Sequence, residues 1–362
     1  MRRSSCDLPL HYGAAPRWLF SRMVRLAREV CRLIVEFHSP HFLIRRLSDP
    51  FWFQAFGCLL GFDWHSSGLT TTVCGALKMA LAGTERDLGI FVAGGKGAAS
   101  RKTPDQIRTY AERFGLNAGL AESLVTASRL VAKVDSAAVQ DGFQLYHHTF
   151  FFARSGLWCV VQQGMDECSG YARRYHWCAD SAGDFLNDPH TAVCCDRRGG
   201  DVLNLAAKES SPCRDSIVKL TTEPDEVLRA LKNGAHFVLP RRHRITPDDI
   251  NQKRLAKHLA ILRDVAPRDF RTLLLTRNVG AKTLRALSLA AEIIFSTPPS
   301  YRDPARFAFA HGGKDGTPFP VDTATYDETI EILAQVTAKA KVAQSEKDSA
   351  IRRLQRLCGG QR

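Results

Sequence analysis

Apolar residues recur at helical spacing over residues 16–37, where Leu19, Met23, Leu26, Val30, Leu33 and Ile34 share one face. The pattern predicts an amphipathic helix that Ser39-Pro40 interrupts and residues 42–47 resume. Asp49-Pro50 then opens an aromatic helix, Phe51-Trp52-Phe53-Gln54-Ala55-Phe56, and another helix is expected over 70–81. A short apolar strand at 88–92 runs into the loop Gly94-Gly95-Lys96-Gly97. Thr103-Pro104 starts a helical stretch reaching about residue 130. Residues 144–153 and 158–163 read as paired strands turned at Arg154-Ser155-Gly156, and 193–205 holds another strand or two. Beyond Pro212 the chain reads as helical. It ends in one long charged helix over 322–357, with Tyr326, Ile330, Leu333 and Val336 as its apolar face. The fold class expected is α+β: a mixed body with a small antiparallel sheet (1–220), a basic helical region (221–300), then a connector and C-terminal helix (301–362).

Within the helical region, Thr272-Leu-Leu-Leu-Thr-Arg-Asn-Val-Gly-Ala-Lys-Thr-Leu-Arg-Ala-Leu287 reads as a helix end, a glycine turn and a new helix. That is the pattern of a helix-hairpin-helix. The amides of Gly280, Ala281 and Lys282 would be free at the second helix's N-terminus, where a phosphate can accept their bonds. A glycine there suits a turn of positive φ and the close approach of a phosphate. Arg277, Lys282, Thr283 and Arg285 complete the expected grip. Charge agrees with this reading. Lys and Arg total 50 against 37 acidic residues, and residues 230–300 alone carry thirteen basic against five acidic side chains. A clustered positive excess is the footprint of a phosphate-binding surface. The partner expected is therefore nucleic acid, DNA ahead of RNA.

Chemistry is expected upstream, where His and Asp collect in what read as polar loops. Asp63-Trp64-His65 and Asp188-Pro189-His190 are Asp-x-His pairs. In an extended segment such residues face one way and can share a divalent metal. Asp63, His65, Asp188 and His190 are the expected ligands, for Mg²⁺ or Mn²⁺ ahead of Zn²⁺. Asp63, His65, Lys133, Asp141, His147 and His176 are the expected catalytic set. Metal-assisted phosphodiester hydrolysis needs a Lewis acid, an activated water and cations on the phosphate. Lys133 and Arg173-Arg174 supply candidate cations. Two other readings stand beside this nuclease. Lys282, just after the hairpin glycine, occupies the place of the attacking lysine of a glycosylase or abasic-site lyase, with Asp303 downstream. The third reading is a non-catalytic nucleic-acid-binding module.

Composition narrows the setting. An apolar content of 44% is that of a globular protein, and no run approaches the ~20 apolar residues of a membrane span. The eleven cysteines are scattered, with no Cys-x-x-Cys, and Cys31, Cys58, Cys74 and Cys159 sit in apolar segments. A reduced, cytoplasmic compartment is expected, with no membrane partner.

Eight motifs together resemble a known prokaryotic family. They are Phe51-Trp-Phe-Gln-Ala-Phe-Gly57, Gly61-Phe-Asp-Trp-His-Ser-Ser-Gly68, Arg129-Leu-Val-Ala-Lys-Val-Asp135, Asp141-Gly-Phe-Gln-Leu-Tyr146, Val161-Gln-Gln-Gly-Met165, Ala172-Arg-Arg-Tyr-His-Trp177, Asp188-Pro-His190 and Phe309-Ala-His-Gly-Gly-Lys-Asp-Gly316. The family is the one labelled domain of unknown function 763. The resemblance implies one family-wide unit with the hairpin in its C-terminal half, and it implies no assigned activity. Arg277-Asn278 departs from the glycine or proline that often precedes such a hairpin.

Overall fold

The computed structural model describes residues 8, 15–62, 67–195, 202–233, 252–305 and 323–359. Four helices come first: α1 (Arg17–Phe37), α2 (Pro40–Ser48), α3 (Pro50–Leu60) and α4 (Ser67–Leu81). Short polar side chains set the starts of α2 and α3. Ser39 accepts from the Phe42 amide, and Asp49 accepts from those of Phe51 and Trp52, each ahead of a proline in the first turn. A short α5 (Glu85–Leu88) leads into β1 (Ile90–Lys96). Next come α6 (Ala98–Arg101), α7 (Thr103–Phe114) and α8 (Ala118–Lys133), which continues as a π-helical turn, Val134–Ala138, into β2 (Val139–Gln140). The strands β3 (Gln144–Ala153), β4 (Trp158–Asp166) and β5 (Tyr171–Cys178) follow, then α9 (Ala179–Ala182), β6 (Ala192–Cys194) and β7 (Leu203–Asn204). The remainder is helical: α10 (Ser211–Leu220), α11 (Pro224–Asn233), α12 (Gln252–Val265), α13 (Phe270–Leu275), α14 (Ala281–Phe295), α15 (Thr323–Lys339) and α16 (Gln344–Gly359).

The fold is α+β. Its centre is a five-stranded antiparallel sheet in the order β1-β3-β4-β5-β6, with β2 and β7 forming a separate pair. Helices cover both sheet faces, and the period of two along each strand divides the side chains between two cores. On one face Val92, Phe151, Ala153, Cys159 and Val161 pack with Met23, Val30, Trp52, Val73 and Leu77, and with Leu333 and Leu354. On the other, Phe91, Phe150, Phe152, Val160, Tyr175 and Trp177 pack with Leu130, Val131, Leu273, Leu284 and Leu287. An aromatic ladder crosses three strands there, with Phe91 on Phe152 at 4.9 Å and Phe150 on Trp158 at 5.6 Å. Each such buried ring contributes roughly 1.5–3 kcal/mol of transfer free energy. The first core joins residues of 1–220 with residues of 301–362, and the second joins 1–220 with 221–300.

Three expectations change here. The long C-terminal helix is two helices, broken over residues 340–343. Folding back lets Leu333 and Val336 of one and Ala350 and Leu354 of the other enter the same core beside α1 and α3. A single straight helix has no such partner for its second half. Gly94-Gly95-Lys96 is strand, not loop, paired with Thr149, His148 and His147. Gly94 has φ +92°, and a Cβ there would lie 2.2 Å from the His148 carbonyl, so the pairing needs glycine. Finally, the segment of Arg173, Arg174 and His176, read as a polar loop, is β5, inside the sheet.

Candidate functional site

One cleft of about 660 Å³ opens where α6, α7, α8 and β3 meet the turn between α13 and α14. Arg101, Arg129, Lys133 and Arg277 line it, and none of its lining residues is acidic. Ser100, Ser128, Ser136, Tyr146, His147, His148 and Gln162 supply the polar wall, with Leu145 and Leu275 as apolar patches. Arg101, Arg129 and Arg277 are exposed, whereas Lys133 is half-buried and burial lowers its pKa. Lys133 Nζ donates to the Val279 carbonyl at 2.5 Å, tying the helical turn to the end of α8. Gln140 fastens it a second time. Its Nε2 donates to the Ala281 carbonyl at 2.9 Å, and its Oε1 accepts from Arg285 Nε at 2.8 Å.

The turn itself has an unexpected shape. Positive φ falls on Asn278, at +68°, while Gly280 is extended at φ −141° and caps α14. Asparagine tolerates the left-handed region better than other residues with a Cβ, so Arg277-Asn278 replaces the usual small residue without breaking the turn. A Cβ on Gly280 would meet nothing within 4 Å, so the space over the α14 N-terminus is open. Lys282 is exposed beside it. Thr283 and Arg285, expected in the same grip, turn inward: Thr283 is buried against His258 Nδ1 at 3.1 Å, and Arg285 holds Gln140.

The expected catalytic residues are divided by the sheet. His147 and His176 lie on the face toward α3 and α4, on strands separated by β4. His176 packs edge-on against Phe53 at 5.5 Å, and burial holds its pKa well below the usual imidazole range. His147, which also lines the cleft, meets Thr149 Oγ1 at 2.9 Å, and burial pushes its pKa down to about 3. Asp141 serves the opposite core. It accepts from Arg173 Nη1 at 2.8 Å and from the Tyr175 hydroxyl at 2.7 Å. Arg173, fully buried, also binds both oxygens of Asp303 at 2.9 Å and lies over the Phe143 ring. Asp303, the aspartate expected to assist Lys282, is thus committed to an arginine.

Asp63 and His65 lie outside the described residues, as do Thr246-Pro247-Asp248-Asp249 and His311–Gly316. Asp188 and His190 are not two positions of an extended segment, because Asn187 and Asp188 both have φ +61°. The Asp188 amide donates to the Ala206 carbonyl, and His190 Nε2 meets Asp135 Oδ1 at 2.6 Å. Among the described residues no group of three or more His, Cys, Asp or Glu is placed to hold a metal ion.

A polar chain that the motif reading passed over runs under the cleft. Ser128 Oγ is 3.0 Å from His148 Nε2, His148 Nδ1 is 2.7 Å from Gln162 Oε1, and Gln162 Nε2 is 2.6 Å from Asp135 Oδ2. Trp177 Nε1 donates to the same carboxylate oxygen at 2.8 Å. The π-helical turn places Asp135 inward while Ser136, the next residue, faces the cleft. Its sequence signal was the mix of polar residues inside strands of otherwise apolar pattern: His148 beside Phe150, and Gln162 beside Val160.

The sheet flanked by helices defines an α+β protein with a cation-lined cleft between its elements. By sequence the chain belongs to the DUF763 family of proteins of unknown function, whose model matches residues 4–321. Comparison with curated proteins and with solved structures returns no match. Among the described residues no helix is long and apolar enough to cross a membrane.

Proposed function

We propose that the protein binds a nucleic-acid backbone, DNA ahead of RNA, in this cleft and acts on a phosphodiester held there. The observation that carries the reading is the lining: Arg101, Arg129, Lys133 and Arg277 converge from α6, α8 and the α13–α14 turn with no acidic residue between them. Four cations on a concave wall concentrate positive potential and favour a polyanion. The open α14 N-terminus at Gly280, with Lys282 beside it, extends the same surface for a neighbouring phosphate. Phosphate contacts position a duplex without reading its sequence, so binding of low sequence preference is expected.

The experiment is fluorescence anisotropy with single- and double-stranded DNA of mixed sequence across a salt series. The Arg129→Ala/Arg277→Ala variant should weaken binding and flatten the plot of log K against log salt, by about 0.7–0.9 for each phosphate no longer neutralised. A slope unchanged in the double variant would overturn the reading. Plasmid nicking with Mg²⁺, with Mn²⁺ and with EDTA separates hydrolysis that uses a divalent metal, the role expected of Asp63 and His65, from hydrolysis that does not.

A further inference from the structure

Beneath the cations, the hydrogen-bond chain fixes the protons on His148. Gln162 Nε2 faces the Asp135 carboxylate at 2.6 Å and the Val131 carbonyl at 3.4 Å, both acceptors, so the amide nitrogen must stand there. Turning the amide over would set oxygen against oxygen. Gln162 Oε1 is therefore the atom facing His148 Nδ1, and because it can only accept, Nδ1 carries the proton. Nε2 is left with its lone pair toward Ser128 Oγ, and the hydroxyl donates to it. Nucleophile, base and orienting groups are thus in contact in the order that activates a serine. Ser128 and Ala132, one turn apart on α8, are small residues flanked by Arg129 and Lys133, and all four line the cleft.

We propose that Ser128 is a nucleophile with His148 as its general base, positioned by Gln162 and Asp135, and that it acts on the phosphodiester held by the four cations. The proposal rests on the backbone-binding reading for its substrate. Ser128 Oγ forms a bond to phosphorus while its proton passes to His148 Nε2. The bond from phosphorus to the leaving oxygen breaks, its electron pair stays with that oxygen, and His148 returns the proton to it. Water then bonds to phosphorus and gives its proton to His148 Nε2. The Ser128–phosphorus bond breaks, and Oγ recovers the proton from His148. The net reaction is hydrolysis, with no change in oxidation state and no further reactant. Arg129, Lys133 and Arg277 offset the charge that builds on the phosphoryl oxygens. Burial lowers the His148 pKa, opposed by the Gln162 hydrogen bond, and keeps the ring in its basic form at neutral pH.

The test uses diisopropyl fluorophosphate with intact-protein mass and peptide mapping, and bis(p-nitrophenyl) phosphate for turnover in EDTA. One adduct, on Ser128, is expected in the parent protein, and none in Ser128→Ala or His148→Gln variants that melt like the parent. Gln162→Leu should lower kcat about tenfold or more with KM nearly unchanged, which general loosening of the fold would not do. Turnover or labelling that persists in Ser128→Ala overturns the proposal. A folded parent protein that binds DNA through the cleft yet gives neither adduct nor turnover overturns the nucleophile alone. A Ser128 adduct without cleft-dependent DNA binding supports the nucleophile and removes the nucleic acid as its substrate.

Discussion

Arg173 places a full charge inside a β-sheet, and its surroundings account for how it stays there. Asp141 and Asp303 supply three carboxylate contacts at 2.8–2.9 Å, and the Phe143 ring covers the guanidinium. Removing one partner of a buried ion cluster leaves the others desolvated and unpaired. Arg173→Met should therefore lower the unfolding free energy by about 3–5 kcal/mol, measured by urea titration. Arg173→Lys should recover only part of that stability, because an ammonium cannot reproduce the two-pronged contact with Asp303. Asp141 was legible as a polar residue and was expected in the catalytic set. That it closes a structural cluster was not, since Asp303 lies far away in sequence and nothing local ties the two together.

At the scale of elements, the α13–α14 turn separates backbone strain from ligand access. Asn278 takes the left-handed conformation, so Asn278→Val should cost about 1–2 kcal/mol of stability, read as a shift in the denaturant midpoint at constant slope. Gly280 is extended and its Cβ position is open. Gly280→Ala should thus change stability by less than about 1 kcal/mol. The added methyl group projects where a phosphate would sit, so anisotropy should show weaker DNA binding. Equal DNA affinity in Gly280→Ala would separate this turn from the binding surface. The turn's existence followed from Val279-Gly280 between two apolar runs. Which residue carries positive φ did not, and Lys133 and Gln140 hold the turn from another part of the chain.

For the whole molecule, the buried histidines tie stability to pH. Burial depresses the folded pKa of His147 to about 3, and lowers those of His148 and His176. Unfolded, each returns to about 6.5 and binds a proton that the folded form refuses. The unfolded state therefore holds more protons below pH 6.5, and stability falls as pH falls. The stabilisation is fully present above pH 6.5 and is lost progressively toward the folded values. For His147 alone the decrease is about 1.4 kcal/mol between pH 7.5 and 5.5. Urea titrations at those two pH values should show the fall, and His147→Gln should reduce it. A stability independent of pH over that range would mean that these rings are protonated in the folded protein.

Local pattern was enough for α1, α3, the β3–β4 hairpin, the basic character of the helical region and the α+β class, because periodicity, caps and turn residues act within a few positions. The sheet order, the break between α15 and α16, and the identity of β5 as a strand were decided by tertiary structure. Tyr171–Cys178 carries Arg173, Arg174 and His176, a composition that resembles a surface loop until partners on the two faces accept hydrogen bonds from the two guanidiniums. The candidate site follows the same division. Of its cations, Lys133 and Arg277 were named as site residues from the sequence, whereas Arg101 and Arg129 were not. Their convergence on a cleft above Ser128, His148, Gln162 and Asp135 joins α6, α8, β3, β4 and the α13–α14 turn, and only the fold brings those elements together.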